Sequence, residues 1–296
     1  MITFPMILQT IISGLTQGSV YATIAVGLSL AFGLMREVNW AQGELLALAL
    51  YISFFAVTEL GMDPYLTMLI TIPVMFIVGF LIQKYSLNKL LAKDPAREPL
   101  TILLFTAGLG MFISNIMTFI FTSNSRYTTT KYTATSFILN DGNLVISKPK
   151  LISGVFALVA TLILYLVVQK TEFGRALRAT AQNRHVAQLM GINNTQIYSI
   201  AYGLGIAMVG LAAALLIPII TITPTVGANY STKCFIIVVL GGRGSIPGCL
   251  VGGILVGLIE QFGTLLLTES YAQLIIFAMF IFFLMFKPNG LFGKEN

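Results

Sequence analysis

The chain has 296 residues, of which 56% are hydrophobic and only 9% charged, with a formal net charge of +6 at pH 7. An ordinary soluble domain carries about 25% charged residues, so this composition excludes a water-soluble globule. It would have too little polar surface to cover its core. The polar intervals are too short to bury a core of their own. The excess of Lys and Arg fits loops on the cytoplasmic side of a membrane, not a nucleic-acid surface.

Read by apolar runs, the chain offers spans near 7–33, 45–60, 65–85, 100–122, 151–168, 197–220, 226–241, 248–267 and 271–286. A bilayer core about 30 Å thick needs about 20 apolar residues per helix, so the expectation is an all-α polytopic membrane protein with about eight to ten transmembrane helices, some short or broken. The first 35 residues carry no charge. Without a basic n-region, the first run is expected to be a retained span, not a cleaved signal. It is long enough to tilt, or to break near Gly14 and Gly18.

EVNWAQGE follows, from Glu37 to Glu44. Asn39 suits a helix N-cap. Two readings stand: an interfacial turn, or Asn39, Gln42 and Gly43 beside a translocation path. The run at 65–85 is bracketed by Tyr65 and Tyr85, rings suited to the two interfaces. The polar interval 123–150, with its Thr-rich RYTTTKYTATS, reads as an external loop holding a short hairpin.

The interval from Thr171 to Asn193 reads as a basic amphipathic helix over Arg175–Met190, with Gly191 placed to end it. Arg175, Arg178 and Arg184 supply its charged face. Such a helix either docks into a partner or lies on anionic headgroups. The run 226–241 is short and ends in a glycine cluster, as a broken or partial helix would. In GGRGSIPGCLVGGILVG, from Gly241 to Gly257, small residues recur every four positions and let helices approach closely in lipid. The loop Gly241–Pro247 also suits a break that lines a cavity; it lacks the Gly-Lys-Ser/Thr ending of a phosphate-binding loop. Glu260 falls within an apolar run, where an ionisable group is a functional candidate.

Alternation of spans sorts the basic residues into sides. Arg36, Lys84, Lys89, Lys93, Arg97, Lys170, Arg175, Arg178, Arg184, Arg243, Lys287 and Lys294 fall on one side. Arg126, Lys131, Lys148, Lys150 and Lys233 fall on the other. Twelve against five makes the first side cytoplasmic and leaves the N-terminus outside. Enzymatic chemistry has no support. His185 is the single histidine, Cys234 and Cys249 lie in apolar runs as packing residues, and no metal-ligand or nucleophile–base spacing stands out. With no nucleotide signature either, uphill transport would draw energy from another subunit or an ion gradient.

GLTQGSVYATIAVGLSLAFGLMREVNWAQGE at 14–44 resembles the N-terminal signature of the branched-chain amino acid ABC-importer permeases. Asn39-Trp40-Ala41-Gln42-Gly43 stands where the family commonly reads Asn-Phe-Ala-His-Gly, so Gln42 removes a titratable group. FGRALRATAQNRHVAQLMGIN at 173–193 is similar to the family's coupling segment, which docks into the ATPase subunit. LGGRGSIPGCLVGGILVGLIE at 240–260 is similar to its glycine-rich C-terminal signature, with Arg243 where a small or apolar residue is usual. The resemblance favours the first of the two permease paralogues.

It implies a bacterial inner-membrane permease paired with a second, related permease, two cytoplasmic ATPases that use ATP and Mg, and an extracytoplasmic binding protein. The chain itself would bind no cofactor and catalyse no reaction. Coupling falls to Gly174, Arg175, Arg178, Ala181, Asn183, Arg184, Ala187 and Gly191, with the three arginines as anchors of the joint. The translocation path falls to Asn39, Gln42, Gly43, Glu44, Gly241, Gly242, Gly244 and Glu260. Leucine, isoleucine and valine are the implied cargo. Urea, short amides, nucleosides or sugars keep the same machine with another cargo. An ion-coupled carrier or channel, with Glu44 and Glu260 as coupling groups, and a membrane scaffold are the readings of a different class.

Overall fold

The computed structural model describes residues 4–34, 38–91, 98–128, 130, 135–139, 144–287 and 289–293. Of the residues used above, Arg36, Glu37, Lys93, Arg97, Lys131 and Lys294 lie outside them. The described chain is helical almost throughout. In lipid every backbone N–H and C=O has to be satisfied within its own segment, which apolar helices achieve.

The helices are α1 (Phe4–Leu34), α2 (Gln42–Thr58), α3 (Met68–Leu81), α4 (Asn88–Leu91), α5 (Glu98–Phe121), α6 (Lys148–Lys170), α7 (Glu172–Gln182), α8 (Arg184–Leu189), α9 (Asn194–Leu216), α10 (Val226–Gly241), α11 (Ile246–Leu266) and α12 (Glu269–Phe286). A 3-10 turn at Pro64–Thr67 leads into α3, and a π turn at Ile82–Leu87 joins it to α4. Among the described residues, seven helices are long and apolar enough to cross a membrane; α2 and α10 are apolar but shorter. Each of the nine apolar runs is thus one helical unit. The first run is unbroken at Gly14 and Gly18, and α10 runs without interruption until Gly242, whose φ of +97° stops it. Residues 148–150 belong to α6, so the polar loop ends at Ser147. It contains the expected hairpin, Ser136–Leu139 paired antiparallel with Leu144–Ser147.

The core is built around α1 and α9. In α9, 83% of the span is buried within the chain, against 11% in α12, so α12 presents its sides outward. Small residues set this arrangement. Gly14 and Gly18 of α1 lie against Gly257 and Gly253 of α11, and a Cβ on Gly18 would stand 2.6 Å from the Gly253 carbonyl oxygen. The two backbones touch, as small-xxx-small faces permit. Packing alone accounts for the four-residue glycine spacing of the C-terminal signature. Likewise α1 meets α9 where Gly27 faces Gly205.

A repeat invisible in the sequence emerges from the packing. The first helix of one half, α1, lies antiparallel along the third of the other, α11; in the same way α9 lies antiparallel along α3. The second helices exchange too, α10 packing on α1 and α2 on α9, while α1 meets α9 and α2 meets α10. The segments α1–α2–α3 and α9–α10–α11 are therefore inverted counterparts, the organisation of many transporters whose sites lie at the repeat interface.

Candidate functional site

The interface between these counterparts forms where α2 and α10 begin. After α1 ends, residues 38–41 turn back into the bundle, pinned by Thr106 of α5, whose Oγ1 accepts from Trp40 N at 3.1 Å and reaches Val38 O at 3.1 Å. Gln42 Nε2 donates to Ile24 O at 3.1 Å, ten residues before the end of α1 at Leu34. At 1.5 Å per residue, α2 starts about 15 Å inside the bundle from that end. Asn39, buried like Gln42, donates from Nδ2 to Gln42 Oε1 at 2.9 Å and accepts from Ala41 N at 3.1 Å. Asn39 is thus not the cap of α2: Ala41 holds the N-cap position without a side-chain bond. Its carboxamide is consumed in the turn and in orienting Gln42.

Gly43 and Gly227, each the second residue of its helix, meet backbone to backbone, and Gly43 N donates to Ser231 Oγ at 2.9 Å. Two helix N-termini, each the positive end of its dipole, converge inside the bundle. Glu44, in the first turn of α2, stands beside Gly227; its Oε2 is buried and has no hydrogen-bond partner among the described residues.

Nearly two turns beyond Gly227 along α10 lies a second cluster. Lys233 Nζ donates to Glu260 Oε1 at 2.7 Å and to Tyr21 OH at 3.1 Å. Tyr21 OH in turn donates to Glu260 Oε1 at 3.2 Å and accepts from Gln17 Nε2 at 3.1 Å. Glu260 is only 9% exposed, and its Oε2 has no partner among the described residues. Alternation of spans sorts Lys233 to the outer side, and it sits within α10, inside the bundle. The readable signal is a lone cation in one apolar run and a lone anion in another, since isolated charges at membrane depth seek each other.

Gly241, Gly242 and Gly244 form the tight turn between α10 and α11. Gly244, with φ +79°, lies against Gly33 at the end of α1, and Leu291 and Phe292 donate their backbone N–H groups to Leu240 O and Gly241 O. These glycines, unlike Asn39, Gln42, Gly43 and Glu44, are remote from the α2–α10 junction.

The segment after α6 folds as two helices, α7 and α8, where one was expected over Arg175–Met190. The break is chemical: Asn183 is extended, and its Oδ1 accepts from His185 N and Val186 N, starting a new helix. Thr171 Oγ1 caps α7 by accepting from Gly174 N at 3.2 Å, and Gly174 lies against the Val168 carbonyl with no room for a side chain. Arg178 turns inward and donates to Val168 O and Gln169 O at the end of α6. Arg184 donates to Tyr198 OH at 3.1 Å with its guanidinium 5.0 Å from that ring. Among the described residues Arg175 reaches only Glu172, at 3.3 Å and in the open. Ala187 is buried under α8, Ala181 is half-buried near the end of α7, and Gly191, with φ +83°, ends α8. The exposed tip carries the apolar Val186, Leu189 and Met190, flanked by His185 and Gln188. α7 packs on α6, α9 and α1, and α8 on α7 and α9.

A profile described as "Branched-chain amino acid transport system / permease component" matches residues 10–284. The chain is 31% identical over 302 residues to the high-affinity branched-chain amino acid transport system permease protein BraD of Pseudomonas aeruginosa, covering 98% of this chain and 96% of that one. It is 28% identical to LivH of Salmonella typhimurium, of the same description, covering 98% and 96%. It is also 26% identical to the ribose import permease protein RbsC of Haemophilus influenzae, covering 97% and 87%. No solved structure matches. Permeases of this kind are typically non-catalytic subunits that pair with a second permease, ATPase subunits and a substrate-binding protein. A polytopic helical bundle, converging half-length helices and a match along nearly the whole chain agree: this protein belongs to the branched-chain amino acid transport system permease family and is an ABC-type permease subunit for small-molecule import.

Proposed function

We propose that this chain is the inner-membrane permease of an ATP-driven importer of leucine, isoleucine and valine, the first of two paralogous permeases in the complex. The observation that carries this reading is the similarity to BraD, which extends over 98% of this chain and 96% of that one. Two ATPases would engage the end bearing α7 and α8, and a binding protein the opposite end.

The path runs past the junction of α2 and α10, where Asn39, Gln42, Gly43 and Glu44 meet Gly227, and past Glu260. Gly241, Gly242 and Gly244 shape the corner at its inner end. The ATPase contact is the apolar tip Val186, Leu189 and Met190. Gly174, Arg178, Ala181, Asn183, Arg184, Ala187 and Gly191 hold that tip in place, and Arg175 stands at its flank. Side chains already engaged within the chain are poor anchors for a partner, whereas a small apolar knob fills a partner's cleft.

Uptake of radiolabelled leucine by cells expressing the chain with its partner subunits tests the reading. Accumulation that disappears when the ATPase is inactivated, and that isoleucine or valine suppresses, is expected. ATPase-dependent accumulation of ribose with leucine ignored would replace the cargo, and leucine flux that survives loss of the ATPase would refute the importer.

A further inference from the structure

Between α10 and α12 lies a cavity of about 200 Å³ with two kinds of wall. Asn229, Thr232, Lys233 and Gln273 line it with polar groups, and Ile236, Ile276 and Phe277 with apolar ones. Pockets for drug-sized ligands run to about 300–1,000 Å³, so this one suits something smaller. A polar strip on the outer face of a half-length helix is costly against lipid, so it belongs beside water, a ligand or a partner.

Lys233 is the informative member. Two of its three ammonium protons go to Glu260 and Tyr21, and 15% of its side chain remains accessible. Its pairing with Glu260 makes the site neutral as a whole while one ammonium proton remains to be given. Glu260 in turn is nine-tenths buried, with Oε2 unpartnered among the described residues, so the anion is held behind the cation and out of the cavity's lining. An isolated anion entering here would lack compensation. A zwitterion would not. Its carboxylate accepts the free Lys233 proton in a charge-assisted bond, and the side-chain oxygens of Asn229, Thr232 and Gln273 accept from its ammonium. The opposite wall receives an aliphatic side chain.

We infer that the α10–α12 cavity is a binding site for a neutral, zwitterionic amino acid with an aliphatic side chain, oriented by its carboxylate on Lys233. This rests on the amino-acid cargo proposed above and assigns its recognition to residues outside the α2–α10 junction.

The test uses the complete importer in liposomes. Both native cysteines of this chain are buried, so with the other subunits made cysteine-free Asn229→Cys provides a single accessible thiol. Leucine is expected to slow its modification by a thiol reagent, and leucinol, which lacks the carboxylate, to leave the rate unchanged. Ile276→Trp, which fills the cavity and spares the ion pair, is expected to reduce leucine uptake about tenfold, as is the double variant Lys233→Met/Glu260→Met, the loss corresponding to one charge-assisted bond. Unprotected Asn229→Cys with wild-type uptake in Ile276→Trp would overturn the site while leaving the cargo intact. A wild-type importer that accumulates no branched-chain amino acid would instead overturn the cargo reading, and this inference with it.

Discussion

Lys233 on α10 and Glu260 on α11 form a 2.7 Å ion pair inside the bundle, and Tyr21 on α1 hydrogen-bonds to both. One contact thereby ties together three helices drawn from both inverted segments. Burying either charge alone is expensive, whereas the pair replaced by apolar residues is often tolerated. Lys233→Ala is therefore expected to destabilise the protein by about 3–5 kcal/mol, and Lys233→Met/Glu260→Met by much less. Thermal unfolding of the purified variants in detergent checks this; equal losses would mean that the pair itself carries stability.

The α1–α11 contact depends on missing side chains. A Cβ on Gly257 would stand 2.6 Å from Gly18 Cα. Gly257→Val has to push two backbones apart, with a cost of about 1–3 kcal/mol or more from overpacking. A matched change at Gly61, where an added Cβ would meet no atom within 4 Å, would confuse space with backbone strain because its φ is +62°. Gly108, in the open and without that strain, is the proper control, and Gly108→Val is expected to leave the melting temperature nearly unchanged.

Gln42 has both ends of its amide engaged, one by Asn39 and one by Ile24 O. Gln42→Leu leaves the buried Asn39 Nδ2 without its partner and removes the added bond to Ile24 O, and is expected to cost about 1–3 kcal/mol. The measurement is again thermal unfolding, with Gln42→Glu as a partner variant that keeps the acceptor and loses the donor to Ile24.

At the coupling end the arginines separate. Arg175 is exposed and, among the described residues, tied only to Glu172, so Arg175→Ala is expected to change stability by no more than about 0.5 kcal/mol. Arg184 fastens α8 to Tyr198, so Arg184→Ala is expected to loosen α8, seen as faster proteolysis at residues 183–193.

Changing Val186, Leu189 and Met190 together to Asp is expected to abolish ATPase-dependent uptake and co-purification of the ATPase while the melting temperature holds. Retained co-purification would move the docking surface elsewhere on the chain.

Much of the architecture is legible along the chain. Each of the nine apolar runs is a helix, because a backbone in lipid has no other way to satisfy its polar groups over that length. Gly14, Gly18, Gly253 and Gly257 are legible as a packing face, since close approach needs small residues at fixed spacing. Glu260 is legible as an anomaly. Its partner is half legible: Lys233 is the lone charge of the neighbouring run, but which faces of α10 and α11 meet is set by the α1–α11 and α1–α10 contacts. The break at Asn183 is hidden for a similar reason, because the same residue type caps one helix and rides inside another until its side chain finds two N–H groups. The inverted pairing of α1–α2–α3 with α9–α10–α11, and the meeting of Gly43 with Gly227, exist only in three dimensions. Composition and periodicity are local properties that set which segments are helices; which helices touch is decided by complementary surfaces across the whole chain.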